Sequence, residues 1–74
     1  MTQQELYKKI LDRNDGKLML TRHKLIKILG VNYSRVDKIV EDLTPMYNTE
    51  GTGQNRAKLY FVDDVAREII KKGL

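Results

Sequence analysis

Leu6, Tyr7, Ile10 and Leu11 recur at three- and four-residue spacing, so the first apolar stripe of the chain is that of an amphipathic helix. Ahead of it, Thr2-Gln3-Gln4-Glu5 has the spacing of a capping box, in which hydroxyl and carboxylate satisfy each other's free backbone N–H groups. Asn14-Asp15-Gly16 then stops the pattern with a turn signal, and a helix over about 3–13 is predicted. Leu18-Met19-Leu20 is too brief for another helix and predicts a small strand packed beside a later hairpin. Leu25, Ile28 and Leu29 form a second helical stripe, with Thr21 as its N-cap and Gly30 as the left-handed residue past its end, over about 22–29. Val36, Ile39, Val40 and Leu43 repeat the spacing behind a second N-cap, Asn32, over about 33–43. Pro45 cannot continue that helix and restricts Thr44 to extended geometry.

Met46 and Tyr47 begin an extended piece, residues 48–55 are polar and contain Gly51 and Gly53, and Ala57 to Val62 is β-branched and aromatic. This predicts a hairpin with a long tip. Asp63 is placed to cap a final helix over about 63–72, with Val65, Ala66, Ile69 and Ile70 inward, Glu68 paired to Lys72 and Gly73 at the end. The expected order is α-β-α-α-β-β-α, mainly α with a small β hairpin. At 74 residues, 41% of them hydrophobic, the chain is expected to be one domain, 1–74, with a marginal core and no enclosed active-site cavity. That favours a binding module over an enzyme, and no Ser/His/Asp or Cys/His set is present to argue otherwise. The absence of Cys excludes disulfides and thiolate metal sites, and no apolar stretch approaches the roughly 18 residues of a membrane span, so a soluble, cytoplasmic protein is expected.

Charge changes the picture through its placement. The net charge is +4, and residues 17–44 hold Lys17, Arg22, Lys24, Lys27, Arg35 and Lys38 against only Asp37, Glu41 and Asp42. A central basic excess points to an anionic partner, nucleic acid first. The same segment carries Leu25, Leu29, Gly30, Val31, Val36 and Ile39 at the spacing of a helix-turn-helix over about 21–43. In it, Leu25 and Leu29 anchor the first helix, Gly30 permits the turn, Val31 plugs the corner, and Val36 with Ile39 bury the second helix. Tyr33, Ser34, Arg35, Asp37, Lys38, Glu41 and Asp42 are left on the free face.

With its Leu-Gly-Val turn, Pro-containing exit, Gly-rich hairpin and Leu-Tyr-Phe strand running into Asp63-Asp64-Val65, the chain resembles the winged helix-turn-helix of phage excisionases and mercury-resistance-type regulators over residues 18–71. It is similar also to the DNA-binding domain of phage terminase small subunits, a reading that expects a long oligomerising helix beyond residue 74. It departs from the group in having Ile26 where Ala is usual, which predicts a wider helix crossing. The resemblance implies sequence-selective binding of double-stranded DNA, with helix 33–43 in the major groove and a wing, about 46–62, whose 48–58 portion lies on backbone or minor groove. It further implies a role in phage or mobile-element recombination or in transcription regulation. Because one module this small has a limited footprint, self-association on repeated sites or fusion to a larger chain is expected, and an integrase or other phage protein is a candidate partner. Arg35 and Lys38 can donate to guanine O6 and N7, while Asn32, Ser34 and Tyr33 can reach base edges, a thymine methyl or phosphate. Arg22, Lys24 and Lys27 suit phosphate contacts, as Gln54, Asn55, Arg56 and Lys58 suit the wing.

Plainer readings hold for the remaining polar residues. Lys9, Lys71 and Lys72 are expected to be solubilising. His23 has no second His or Cys to complete a metal site, so no metal or cofactor is expected. Asp63 and Asp64 read as a cap and a dipole partner rather than an acid/base pair, and Gly51-Thr52-Gly53 lacks the third Gly of a nucleotide loop. Tyr7 and Tyr60 are expected in or beside the core. The alternative from another class is a protein-interaction module using the apolar edge of the first helix, Leu6, Tyr7 and Ile10, together with the wing. Binding to structured RNA by shape and phosphate contacts is a third.

Overall fold

The computed structural model describes residues 1–47 and 58–73. Their elements are α1 (Gln3–Arg13), β1 (Met19–Thr21), α2 (Arg22–Leu29), α3 (Tyr33–Val40), β2 (Met46–Tyr47), β3 (Lys58–Phe61) and α4 (Val62–Lys72), in the expected order. The molecule is mainly helical, with a small antiparallel sheet of strand order β1-β3-β2. Leu20 pairs with Tyr60 and Met46 with Leu59, which makes β3 the central strand and β2 with β3 the base of the hairpin. The tip of that hairpin lies outside the described residues.

Local chemistry accounts for most element ends. Glu5 N–H donates to Thr2 Oγ1 at 3.1 Å and Thr2 N–H to Glu5 Oε1 at 3.4 Å, so the predicted capping box opens α1. At the other end Asp15 and Gly16 take positive φ values of 57° and 75°, and the buried Asn14 amide donates to the carbonyls of Lys17, at 2.8 Å, and Met19, at 2.9 Å. This buried amide turns the chain from α1 into β1 with its donors satisfied, as a buried polar group requires. Arg13 donates to the Ile28 carbonyl at 3.2 Å, placing a cation at the C-terminal end of α2, where the helix dipole favours it.

The core is formed by one stripe from each long element. Leu25, Val36, Val62, Val65 and Ala66 are fully buried, joined by Ile10, Leu20, Ile39 and Tyr60, with Tyr7 and Ile26 partly buried against them. Each full burial of a Leu, Ile or Val side chain among them is worth about 1.5–3 kcal/mol before entropy is counted.

The structure corrects several sequence expectations. Helix α3 ends at Val40 rather than near 43: Leu43 still packs against the core, but its N–H donates to Val40 O in a tighter turn, at 3.0 Å. Lys72 of α4 donates to the Lys38 carbonyl at 2.7 Å, the acceptor a further turn would give to the N–H of Asp42, and draws Glu41 and Asp42 to itself. Helix α4 starts at Val62, with Phe61 as an N-cap that makes no side-chain hydrogen bond, so Asp63 is not the cap. The Val62 N–H is instead taken by the Leu18 carbonyl at 2.8 Å, and Asp63 and Asp64 lie in the first turn, facing the positive end of the dipole. Strand β1 is shifted one residue onward from the predicted 18–20. Ile70, expected inward, is 42% exposed because it lies at the margin of the Val62, Val65, Ala66 and Ile69 stripe, while the unexpected Glu68 is buried at 3%.

Candidate nucleic-acid interface

The α2–α3 corner is built from two caps and one left-handed residue. Thr21 Oγ1 accepts from Lys24 N–H at 3.1 Å, and Gly30, at φ 66° and ψ 32°, donates its N–H to Ile26 O at 2.8 Å. Asn32 then holds an extended backbone while its Oδ1 accepts from Arg35 N–H at 3.0 Å, which starts α3. The buried Val36, Ile39 and Val40 fix one side of α3 to the core.

Residues advance about 100° per step around a helix, so the side opposite this stripe carries Ser34 and Lys38, both exposed. Tyr33 and Asp37 lie on the flank toward the start of α2. Arg22 bridges to Asp37 at 3.1 Å, and its guanidinium carbon stands 4.9 Å from the centre of the Tyr33 ring. The Tyr33 hydroxyl is 3.2 Å from His23 Nδ1. Arg22, His23 and Tyr33 line a shallow concavity with Thr21, Lys58 and Tyr60, so the hairpin strand β3 adds a cation to the same surface. The Arg22–Asp37 pair is about half exposed, and a pair of that kind contributes at most about 1 kcal/mol; its effect is to orient the guanidinium.

Of the residues singled out by sequence, Arg22, Tyr33 and Lys58 are thus brought together, and Ser34 and Lys38 share the adjacent outer face. Arg35 lies on the other flank of α3, where it lines an apolar depression with Leu29, Val31 and Ile39. Asn32, an exposed residue, uses its side-chain carbonyl oxygen as a cap. Lys24 is turned to the far side of α2, beside Asn14, Lys17 and Leu59, and Lys27 is exposed on the outer side of that helix. Gln54, Asn55 and Arg56 lie outside the described residues.

Two contributors were missed by sequence reasoning. His23 touches Tyr33 across the helix pair, a contact between residues ten apart that no periodicity signals. Lys72, expected to solubilise and to pair with Glu68, also donates to the Lys38 carbonyl at 2.7 Å and lies 3.0 Å from Asp42, 3.5 Å from Glu41 and 3.9 Å from Glu68. Burial opposes its charge, but the hydrogen bond to Asp42 and the charges of Asp42, Glu41 and Glu68 outweigh it and hold its pKa above the ordinary lysine value. The i,i+4 spacing of Glu68 and Lys72 was visible, whereas the link to α3 spans 34 residues. Lys72 therefore satisfies the end of α3 and gathers Glu41 and Asp42 at that end, away from Ser34 and the N-terminal turn.

Among the described residues, no group of three or more His, Asp or Glu is arranged to hold a metal ion, and no helix is long and apolar enough to cross a membrane. Comparison of the chain with family models, with curated proteins and with solved structures gives no match.

Proposed function

We propose that the chain is a winged helix-turn-helix protein that binds double-stranded DNA sequence-selectively, with α3 in the major groove and the β2–β3 hairpin on the backbone or in the adjacent minor groove. The observation that carries this reading is the outer face of α3: the helix is capped by Asn32 and anchored by Val36, Ile39 and Val40, Ser34 and Lys38 are exposed opposite that anchor, and Tyr33 on the adjoining flank lines a concavity with Arg22 and Lys58. Lys38 suits guanine O6 and N7, Ser34 a base edge or phosphate, and Arg22 with Lys58 phosphates on the hairpin side. Arg35 reaches the groove from the opposite flank. The biological role in this reading is that of an excisionase-like factor or a transcriptional regulator.

Selection from random duplex DNA tests the proposal. A recovered motif is expected, with binding that weakens steeply as salt rises. Lys38→Ala and Arg35→Ala are each expected to cost about 1–3 kcal/mol at one position of the motif if they read a base. Arg22→Ala is expected to weaken all sequences alike. Selection left unchanged by both α3 substitutions, in folded protein, overturns the assignment of α3 as the reading helix.

A further inference from the structure

On the side of the molecule where Arg35 emerges, two depressions adjoin and share Leu6 and Leu29. Their floor includes Ile10 and Ile39, both buried, and their lip includes Met1 and Ile70, which are 68% and 42% exposed. The charged side chains among the described lining residues are Lys9, Arg13 and Arg35, and none of those described residues carries a carboxylate. An apolar trough edged by Lys9, Arg13 and Arg35 is complementary to an apolar stripe flanked by negative charge.

We infer that this trough between α1, the α2–α3 corner and the end of α4 is a docking site for an acidic amphipathic helix of a partner protein. Leucine- or isoleucine-type side chains at i, i+3 or i+4 and i+7 of the partner seat on Leu6, Leu29 and Ile70, and its Asp or Glu residues face Lys9 and Arg35. Arg13 contributes as a fixed charge, since its guanidinium is already held by the Ile28 carbonyl. The inference does not require DNA binding, although Arg35 serves both readings and an occupied trough withdraws it from DNA seated on α3.

The test titrates the full chain, labelled with nitrogen-15, with two synthetic helical peptides that share one leucine stripe and carry either Glu or Lys at the flanking positions. The Glu peptide is expected to shift the amide signals of Leu6, Lys9, Leu29, Val31, Arg35 and Ile70 and to bind about tenfold or more tightly than the Lys peptide, the summed effect of a few exposed ion pairs. In Lys9→Glu/Arg35→Glu, both exposed positions, the preference is expected to reverse. Equal binding of the two peptides, shifts that map elsewhere, or no binding of either overturns the inference. So does a dimer that buries the trough at the concentrations used, since the occupant is then a second copy. None of these outcomes bears on whether duplex DNA is selected.

Discussion

Asn32 serves two ends with two atoms. Its Oδ1 caps α3 through Arg35 N–H, and its amide hydrogens are donors on an exposed residue. The two roles separate by substitution. Asn32→Ala is expected to lower stability by about 1 kcal/mol through loss of the cap. Asn32→Asp keeps the acceptor and adds a charge that the N-terminal end of α3 favours, so chemical denaturation is expected to place it near the unsubstituted protein. The sequence also offers Asn32 as a contact to a base edge or phosphate; where its amide hydrogens make that contact, Asn32→Asp lowers DNA affinity, because it removes the donors and brings a carboxylate to the phosphates. Equal DNA affinity of the two proteins would confine Asn32 to capping. Arg22 is similarly divided between Asp37, the Tyr33 ring and any phosphate, which is why its loss is expected to act on all DNA sequences rather than on one base.

At the scale of elements, the relation of α2 to α3 depends on Gly30. Its φ of 66° is in the left-handed region, and a Cβ built there meets nothing within 4 Å. The cost of a side chain is then one of backbone conformation alone, about 1–2 kcal/mol for Gly30→Ala and less for Asn, which tolerates that region better. Denaturation of the two variants checks this. An Ala variant as stable as the parent would mean that the turn has relaxed to another conformation, and the outer faces of α2 and α3 would no longer be held in the described relation. The wing side is positioned by strand pairing instead: β3 is bonded to both β1 and β2, so Lys58 reaches the Arg22–Tyr33 concavity through the register that pairs it with Tyr47.

For the whole molecule, Lys72 joins the last turn of α4 to the end of α3. A lysine whose pKa is raised in the folded state stabilises fully below its unfolded value, near 10.5, and loses that contribution as pH rises through the folded value. The difference in unfolding free energy between the parent and Lys72→Gln is therefore expected to be constant at neutral pH and to shrink above about pH 10.5, measured by denaturation across that range. A difference that stays flat to high pH would show that the side chain acts through packing rather than charge. The same substitution releases Glu41 and Asp42, so it is also expected to weaken DNA binding at low salt more than at high salt.

The chain by itself determined what residues within about four positions of one another settle: the capping box of α1, the left-handed Gly30 and Gly73, the caps at Thr21 and Asn32, and the stripes that choose which faces are buried. These are local because helix periodicity and capping are local. The element order and the candidate outer face of α3 were legible for the same reason. Where distant partners compete, the tertiary structure decided. Leu43 keeps helical spacing and still packs against the core, yet the backbone leaves the helix at Val40, with Glu41 and Asp42 drawn to Lys72 from α4. The start of α4 is settled by the Leu18 carbonyl across the sheet rather than by Asp63. Six cations between residues 17 and 44 read as one basic segment in the chain, but helix rotation parts them. Arg22 joins Tyr33, His23 and Lys58, Lys24 turns to the α1 turn, and Arg35 lines the apolar trough, because a difference of one or two sequence positions is 100° or 200° around a helix.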